Sequence, residues 1–250
     1  MPRLPLQHLI TLLLLLIFLR LGVLGEVLHK LALSRWEIQY GMLALILCSL
    51  VNLRLCRLRL PRARADEEPD QPARVTLGSN LRPGRLRLPR ARADEEPDQP
   101  ARVTLGINLG GAIVPLFIGL YLGREQMPEP LPLLLLCALV ALVVYPLSRI
   151  SARRGVVIHL AGAILVAALG AVWLGGRHYL LWAYWAAVLG TLIGGDLLHL
   201  SQLLRRRRAR RHGVFIGGAG LMDAIFLSGL FAMLTAELLQ QHDLLSSLPG

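Results

Sequence analysis

Seven apolar runs, at 7–25, 37–55, 107–123, 131–148, 155–175, 178–203 and 214–239, dictate the solvent in which this chain can fold. Each is long enough to cross a hydrocarbon core of about 30 Å as a helix. Lipid offers the backbone no hydrogen-bond partners, and a helix satisfies its own N–H and C=O groups within one segment. The expected fold is therefore an all-α, polytopic transmembrane helix bundle of about seven helices. Composition agrees: 54% of the 250 residues are hydrophobic and 17% charged, against about 25% charged in soluble domains. Mean hydropathy is +0.55. A water-facing single domain is excluded, and so is a disordered chain, which needs low hydrophobicity. The first run ends in Val23-Leu24-Gly25, a weak likeness to a signal-peptidase site; its length favours a retained first helix over a cleaved leader.

The net charge of +11 comes from 27 basic residues, of which all but Lys30 are arginine. They cluster between the apolar runs, which is the pattern of a membrane protein and not of a nucleic-acid groove. With alternate loops assigned to alternate sides, 22 basic residues fall with the N-terminus and 4 (Lys30, Arg35, Arg124, Arg177) on the other side. The positive-inside rule then predicts an inner-membrane protein with a cytoplasmic N-terminus and an external C-terminus. Cys48, Cys56 and Cys137 form no Cys-x-x-Cys pair. They read as small packing residues, not as a disulfide framework or a thiolate metal site.

Three regions follow: residues 1–56 with helices one and two, an insert at 57–106, and residues 107–250 with helices three to seven. The insert is duplicated. Arg57–Gly78 and Arg85–Gly106 are the same 22 residues, 28 positions apart. Identity at that level points to a recent duplication, since structural repeats drift and solenoids need three or more units. Each copy has an alternating flank (Arg57-Leu58-Arg59-Leu60 in the first), a polar Asp-Glu-Glu-Pro-Asp stretch, then Val103-Thr104-Leu105 or its twin, so one copy can form a short hairpin at the membrane surface, leaving the other without a partner. The arginines can also touch anionic lipid.

Ionisable groups within apolar runs are functional candidates by default, because lipid penalises them. Asp196, in helix six, precedes Arg205 by nine residues, and Asp223, in helix seven, follows Arg211 by twelve. At 1.5 Å per residue these are depths of roughly 13 and 18 Å in two helices. Gly190, Gly194 and Gly195 flank the first, and Gly217, Gly218 and Gly220 the second. Small residues let transmembrane backbones approach closely. Two carboxylates brought together cannot both ionise cheaply, so one serves as acid and the other as base. His199, three residues after Asp196, would share its helix face. Asn108, Gly110, Gly111 and Pro115 suggest an irregular third helix lining a cavity or packing on protein. Glu26, His159 and Glu237 lie near segment ends, where snorkelling suffices.

The run Asp223-Ala224-Ile225-Phe226-Leu227-Ser228 resembles the stretch around the second catalytic aspartate of presenilin-type intramembrane aspartyl proteases. That family has Gly-x-Gly-Asp where this chain has Gly220-Leu221-Met222-Asp223. The resemblance implies a catalytic pair, Asp196 and Asp223, acting on a transmembrane peptide. Pro115 is the nearest counterpart of the family's Pro-Ala-Leu motif. A broader resemblance covers roughly residues 26–236 without the duplicated insert. It is carried by Ser49-Leu50-Val51-Asn52, Ile107-Asn108-Leu109-Gly110-Gly111-Ala112 and Gly190-Thr191-Leu192-Ile193-Gly194-Gly195-Asp196-Leu197-Leu198. These look like a prokaryotic family of predicted membrane proteins of unknown function, which implies membrane location and little else.

Three readings of the aspartates stand together at this point: a hydrolytic pair, a site coupling transport of a proton or small cation, or two acids that fix helix packing. The lipid bilayer is the expected partner, and no nucleic acid. No phosphate loop, His-Glu-x-x-His, Gly-x-Ser-x-Gly or Cys-His zinc spacing is present, so neither a metal nor a cofactor is expected.

Overall fold

The computed structural model describes residues 23–60, 101–124, 128–151, 155–205, 213–218 and 223–241, together with Leu13 and Ile17. The first apolar run lies mostly outside the described residues, as does the middle of the duplicated insert. The helices are α1 (Val23–Lys30), α2 (Arg35–Ser49), α3 (Val114–Leu122), α4 (Pro130–Leu147), α5 (Leu160–Leu174), α6 (Tyr179–Thr191), α7 (Leu200–Arg205) and α8 (Ala224–Gln241). Two π-helical turns, π1 (Leu109–Ile113) and π2 (Leu192–Leu197), run into α3 and out of α6. The fold is all-α in architecture, with two small sheets at one end. Among the described residues, three helical stretches are long and apolar enough to span a membrane: Pro130–Leu147, Gly176–Leu204 and Ala224–Gln241.

Local sequence sets several boundaries. Ser34 and Glu37 form a reciprocal capping box at the start of α2, satisfying two of its orphan N–H donors. Pro130 and Pro115 stand in the first turns of α4 and α3, where a missing N–H does no harm. The apolar runs are not helical throughout. The second ends as strand β1 (Asn52–Leu60), the third begins within β2 (Ala101–Asn108), the fifth with β4 (Gly155–Val157) and the seventh with β5 (Val214–Ile216). β1 and β2 are antiparallel, and β2 and β5 parallel, in the order β1-β2-β5. β4 pairs with β3 (Arg149–Ser151). The hairpin expected within one copy is corrected: because the copies share the same flanks, a strand of one can pair with a strand of the other, and Arg57 to Leu60 of the first pair with Thr104 to Ala101 of the second.

α6 is the central helix and packs against α4, α5, α8 and α3. Twelve of its residues are buried, from Tyr179 to Thr191. Glycine makes this possible. A Cβ at Gly119 of α3 would stand 2.8 Å from the Trp185 ring, and one at Gly229 of α8 would stand 2.6 Å from a Val188 methyl. Alanines do the same for α5, where Ala163, Ala167, Ala168 and Ala171 are buried. The outer faces carry large apolar side chains, among them Leu142 at 69% and Trp173 at 84% exposure. A surface of that kind is what lipid, not water, accepts. The sheets, with Arg54, Arg57 and Arg149, mark one end of the bundle. The opposite end is closed by Lys30, whose ammonium lies 2.8 Å from a Glu237 carboxylate oxygen and 3.0 Å from the Tyr179 hydroxyl.

Candidate functional site

At the sheet end, the chain passes twice from a strand through a Gly-Gly pair toward a helix: β2 into π1 and α3, and β5 through Gly217-Gly218 toward α8. The two strands lie side by side, with Ile107 beside Ile216. Asn108 terminates β2 and organises the first passage. Its side-chain oxygen accepts from the Gly111 N–H at 2.7 Å, and its amide nitrogen donates to the Ser49 carbonyl at 2.8 Å and to Asn52 Oδ1 at 3.1 Å. One buried amide thus ties the starts of π1 and β1 to the end of α2. Gly217 turns the second passage with a φ of +66°, a conformation that glycine adopts without strain. The passages touch: a Cβ on Gly111 would stand 2.0 Å from the Gly217 carbonyl oxygen and 3.2 Å from the Asp223 Cβ. Only glycine fits there.

Asp196 lies on π2, and its Oδ2 accepts from the Gly217 N–H at 3.2 Å. Asp223 sits immediately before α8, 7% exposed, and its Oδ1 accepts from the Ile225 N–H at 2.9 Å. The expected depth of Asp223 is therefore corrected. It heads a helix instead of lying twelve helical residues inside one, because residues 214–216 pair as strand with β2 and Gly217 turns the chain. A carboxylate in that position meets the positive end of the helix dipole. Asp196 borders the Gly217 turn by hydrogen bond, and Asp223 borders π1 through Gly111. Both π turns belong to this region, and π-bulges recur at functional sites.

The supporting residues divide. Gly190 and Gly194 do not bring α6 to α8. Cβ atoms there would stand 2.5 Å from Val140 and 2.6 Å from the Ala141 carbonyl, so they form a Gly-x-x-x-Gly seam against α4. Gly195 packs against Ile158, 2.3 Å from where its Cβ would be. The α6–α8 contact instead uses Gly229 and Ser228, whose hydroxyl donates to the Ala187 carbonyl at 3.2 Å. His199 is buried, with Nδ1 at 3.1 and 3.0 Å from the Gly194 and Gly195 carbonyls and its ring 4.7 Å from Tyr145. Carbonyls only accept, so Nδ1 carries a proton and serves the π turn. Pro115 offers its carbonyl to the Tyr184 hydroxyl at 2.8 Å. Gly218 follows the Gly217 turn, and Gly220 lies outside the described residues.

Sequence reasoning does not flag Thr191, whose buried hydroxyl has no partner among the described residues; a lone threonine in an apolar run gives no signal. It also misplaces Glu237, which is fully buried in an ion pair instead of snorkelling. No group of three or more metal-ligating side chains occurs among the described residues.

No curated protein matches the chain, and no solved structure does. A family model matches residues 46–235, the stretch that holds the sheet, both π turns and both aspartates. The chain belongs to that family, described as a protein of unknown function, DUF1614.

Proposed function

We propose that this membrane protein resides in the inner membrane with its N-terminus in the cytoplasm, and that Asp196 and Asp223 are the working pair of an intramembrane aspartyl hydrolase. The observation that carries the reading is the bond from the Gly217 N–H to Asp196. It fixes one carboxylate to the turn that precedes the other in the chain. On this reading a water between the two carboxyl groups is the nucleophile. One carboxylate takes its proton while the other, protonated, hydrogen-bonds the scissile carbonyl. The substrate is a transmembrane peptide entering from lipid. Asp223 at the head of α8 is the better candidate for the charged partner, since the helix N-terminus favours an anion.

A second reading has its own support: each aspartate already accepts a backbone N–H, from Gly217 and from Ile225. Two such anchors could serve packing alone. Cleavage of a reporter transmembrane peptide in liposomes by wild type, Asp196→Asn, Asp223→Asn and the double variant separates the two. A hydrolytic pair loses activity about equally in both single variants, with the double little worse, because residues acting as a unit are non-additive. Anchors would keep partial function, since an amide oxygen still accepts the N–H. No cleavage over a broad peptide panel, alongside gradient-driven cation uptake lost in Asp196→Asn, would move the assignment to transport.

A further inference from the structure

β1 leaves the bundle almost at once. Only Leu50 and Val51 separate it from the end of α2. It is an edge strand: β2 pairs with one side, and no strand among the described residues pairs with the other. Its open edge needs hydrogen-bond partners that water and headgroups supply and hydrocarbon does not. The strand therefore belongs at the membrane interface, not within the core.

The register gives β1 two chemically different faces. Arg54 stands opposite Gly106 and Arg57 opposite Thr104, so both share the face of the even-numbered residues of β2. Leu53, Cys56 and Leu58 stand opposite Ile107, Leu105 and Val103, on the other face. In an unbroken strand, Arg54 and Arg57 would point to opposite sides, because their spacing is odd. The irregularity between Arg54 and Cys56 inserts Leu55 as an extra residue and brings both arginines into phase. The apolar face of β2 is covered, with Val103 fully buried and Ile107 packed on the core. β1 overhangs that core. Leu50, Leu53 and Leu55 are 78%, 44% and 60% exposed, and Arg54, Cys56 and Arg57 are exposed too.

We propose that β1 is an interfacial ribbon that docks on anionic phospholipid. Its Leu53–Cys56–Leu58 side rests on the acyl boundary, and Arg54 and Arg57 hold lipid phosphates. The chemistry is complementary at each level. Exposed leucines beside the membrane gain from contact with acyl chains. A guanidinium grips a phosphate with two parallel hydrogen bonds. The inference stands apart from the hydrolase reading, since it uses neither aspartate.

Cys56 supplies the reporter, because it lies on the apolar side and is exposed, whereas Cys137 is buried. The full chain carrying Cys48→Ser would be placed, one copy per disc, in nanodiscs of phosphatidylcholine alone or with 30% phosphatidylglycerol. The rate of Cys56 with a water-soluble maleimide is then measured. Phosphatidylglycerol should slow the reaction several-fold, and high salt should restore it. Each of Arg54→Gln and Arg57→Gln should weaken docking roughly five-fold, so the double variant should react at nearly equal rates in both discs. Both side chains are exposed, and unchanged thermal unfolding would confirm the fold. Equal wild-type rates in the two discs would overturn the proposal, as would a lipid effect that survives the double variant. Protection that appears only with two copies per disc would overturn it too, in favour of strand pairing between chains.

Discussion

A carboxylate with no exposure must have its charge answered in place, and Glu237 accepts four hydrogen bonds from three donors for the purpose. Lys30 approaches both of its oxygens at 2.8 and 3.0 Å, the Tyr179 hydroxyl donates to it, and Gln241 Nε2 donates at 2.9 Å. The sequence cannot announce this cluster, because Lys30 and Glu237 are 207 positions apart. From sequence, Glu237 is only an acid near a segment end. Removing one partner of such a pair leaves the other charge uncompensated, typically by about 3–5 kcal/mol when both are buried. Lys30 is partly exposed, at 36% of its side chain, which lowers the expectation to about 2 kcal/mol. Lys30→Met should therefore lower the unfolding midpoint in detergent, and Lys30→Met with Glu237→Leu should recover most of the loss. Recovery failing would mean that the carboxylate has a role of its own. Burial alone would lower the Lys30 pKa, but hydrogen bonds with Glu237 and Tyr179 outweigh it and hold it above the usual 10.5. A raised pKa in the folded state places the pair's contribution fully below the unfolded value. Stability from this pair should be constant through neutral pH and decline above about 10.5, and Lys30→Met should remove the lysine's share of that alkaline decline.

Elements tell a different story about legibility. The seven runs are plain because lipid demands unbroken hydropathy. What hydropathy cannot show is where a run stops being helix: a short apolar stretch such as Val214–Ile216 reads the same as strand or helix. The pairing of Ile107 with Ile216 joins segments over a hundred residues apart, and only the folded chain reveals it. Hence both aspartates were legible as candidates, while the strand and turn before Asp223 were not. A hairpin of these flanks is legible, but not which copies supply its strands, since the copies are identical; its use of both makes a sharp prediction. Deleting Arg57–Gly84 joins Cys56 to Arg85-Leu86-Arg87-Leu88, which restores the same four residues opposite Ala101–Thr104. The connection between strands shrinks from residues 61–100 to residues 89–100. Closure entropy alone favours the shorter connection by about 1 kcal/mol. The deletion variant should insert, accumulate as wild type does and unfold at an equal or slightly higher temperature. Degradation of this variant would show that the removed copy makes contacts its twin does not replace.

At the scale of the whole molecule, sidedness can be argued without knowing how many runs cross the bilayer. Gly176–Leu204 and Ala224–Gln241 are both long and apolar enough to span. Their directions are opposed: Tyr179 and Glu237 meet at one end, while Asp196 and the Gly217 turn before α8 meet at the other. The segment between them holds Arg205 to Arg208, Arg210 and Arg211. Six arginines between two spans resist translocation, so that segment should be cytoplasmic and the end of α8 external, whatever the first run does. Helix α5 is only 15 residues, about 22 Å, and the first run is mostly outside the described residues; neither affects this step. A periplasm-active reporter fused after Gly250 should be active, and a cytoplasm-active one silent. The same pair inserted between Arg208 and Ala209 should give the reverse. Replacing the six arginines with glutamine should weaken the preference and yield both orientations, since, with the long insert set aside, Arg3, Arg149, Arg153 and Arg154 then only balance Lys30, Arg35, Arg124 and Arg177. Cytoplasmic activity after Gly250 in the wild-type chain would overturn the direction of α8, and with it the placement of Asp196 and Asp223 at the cytoplasmic end.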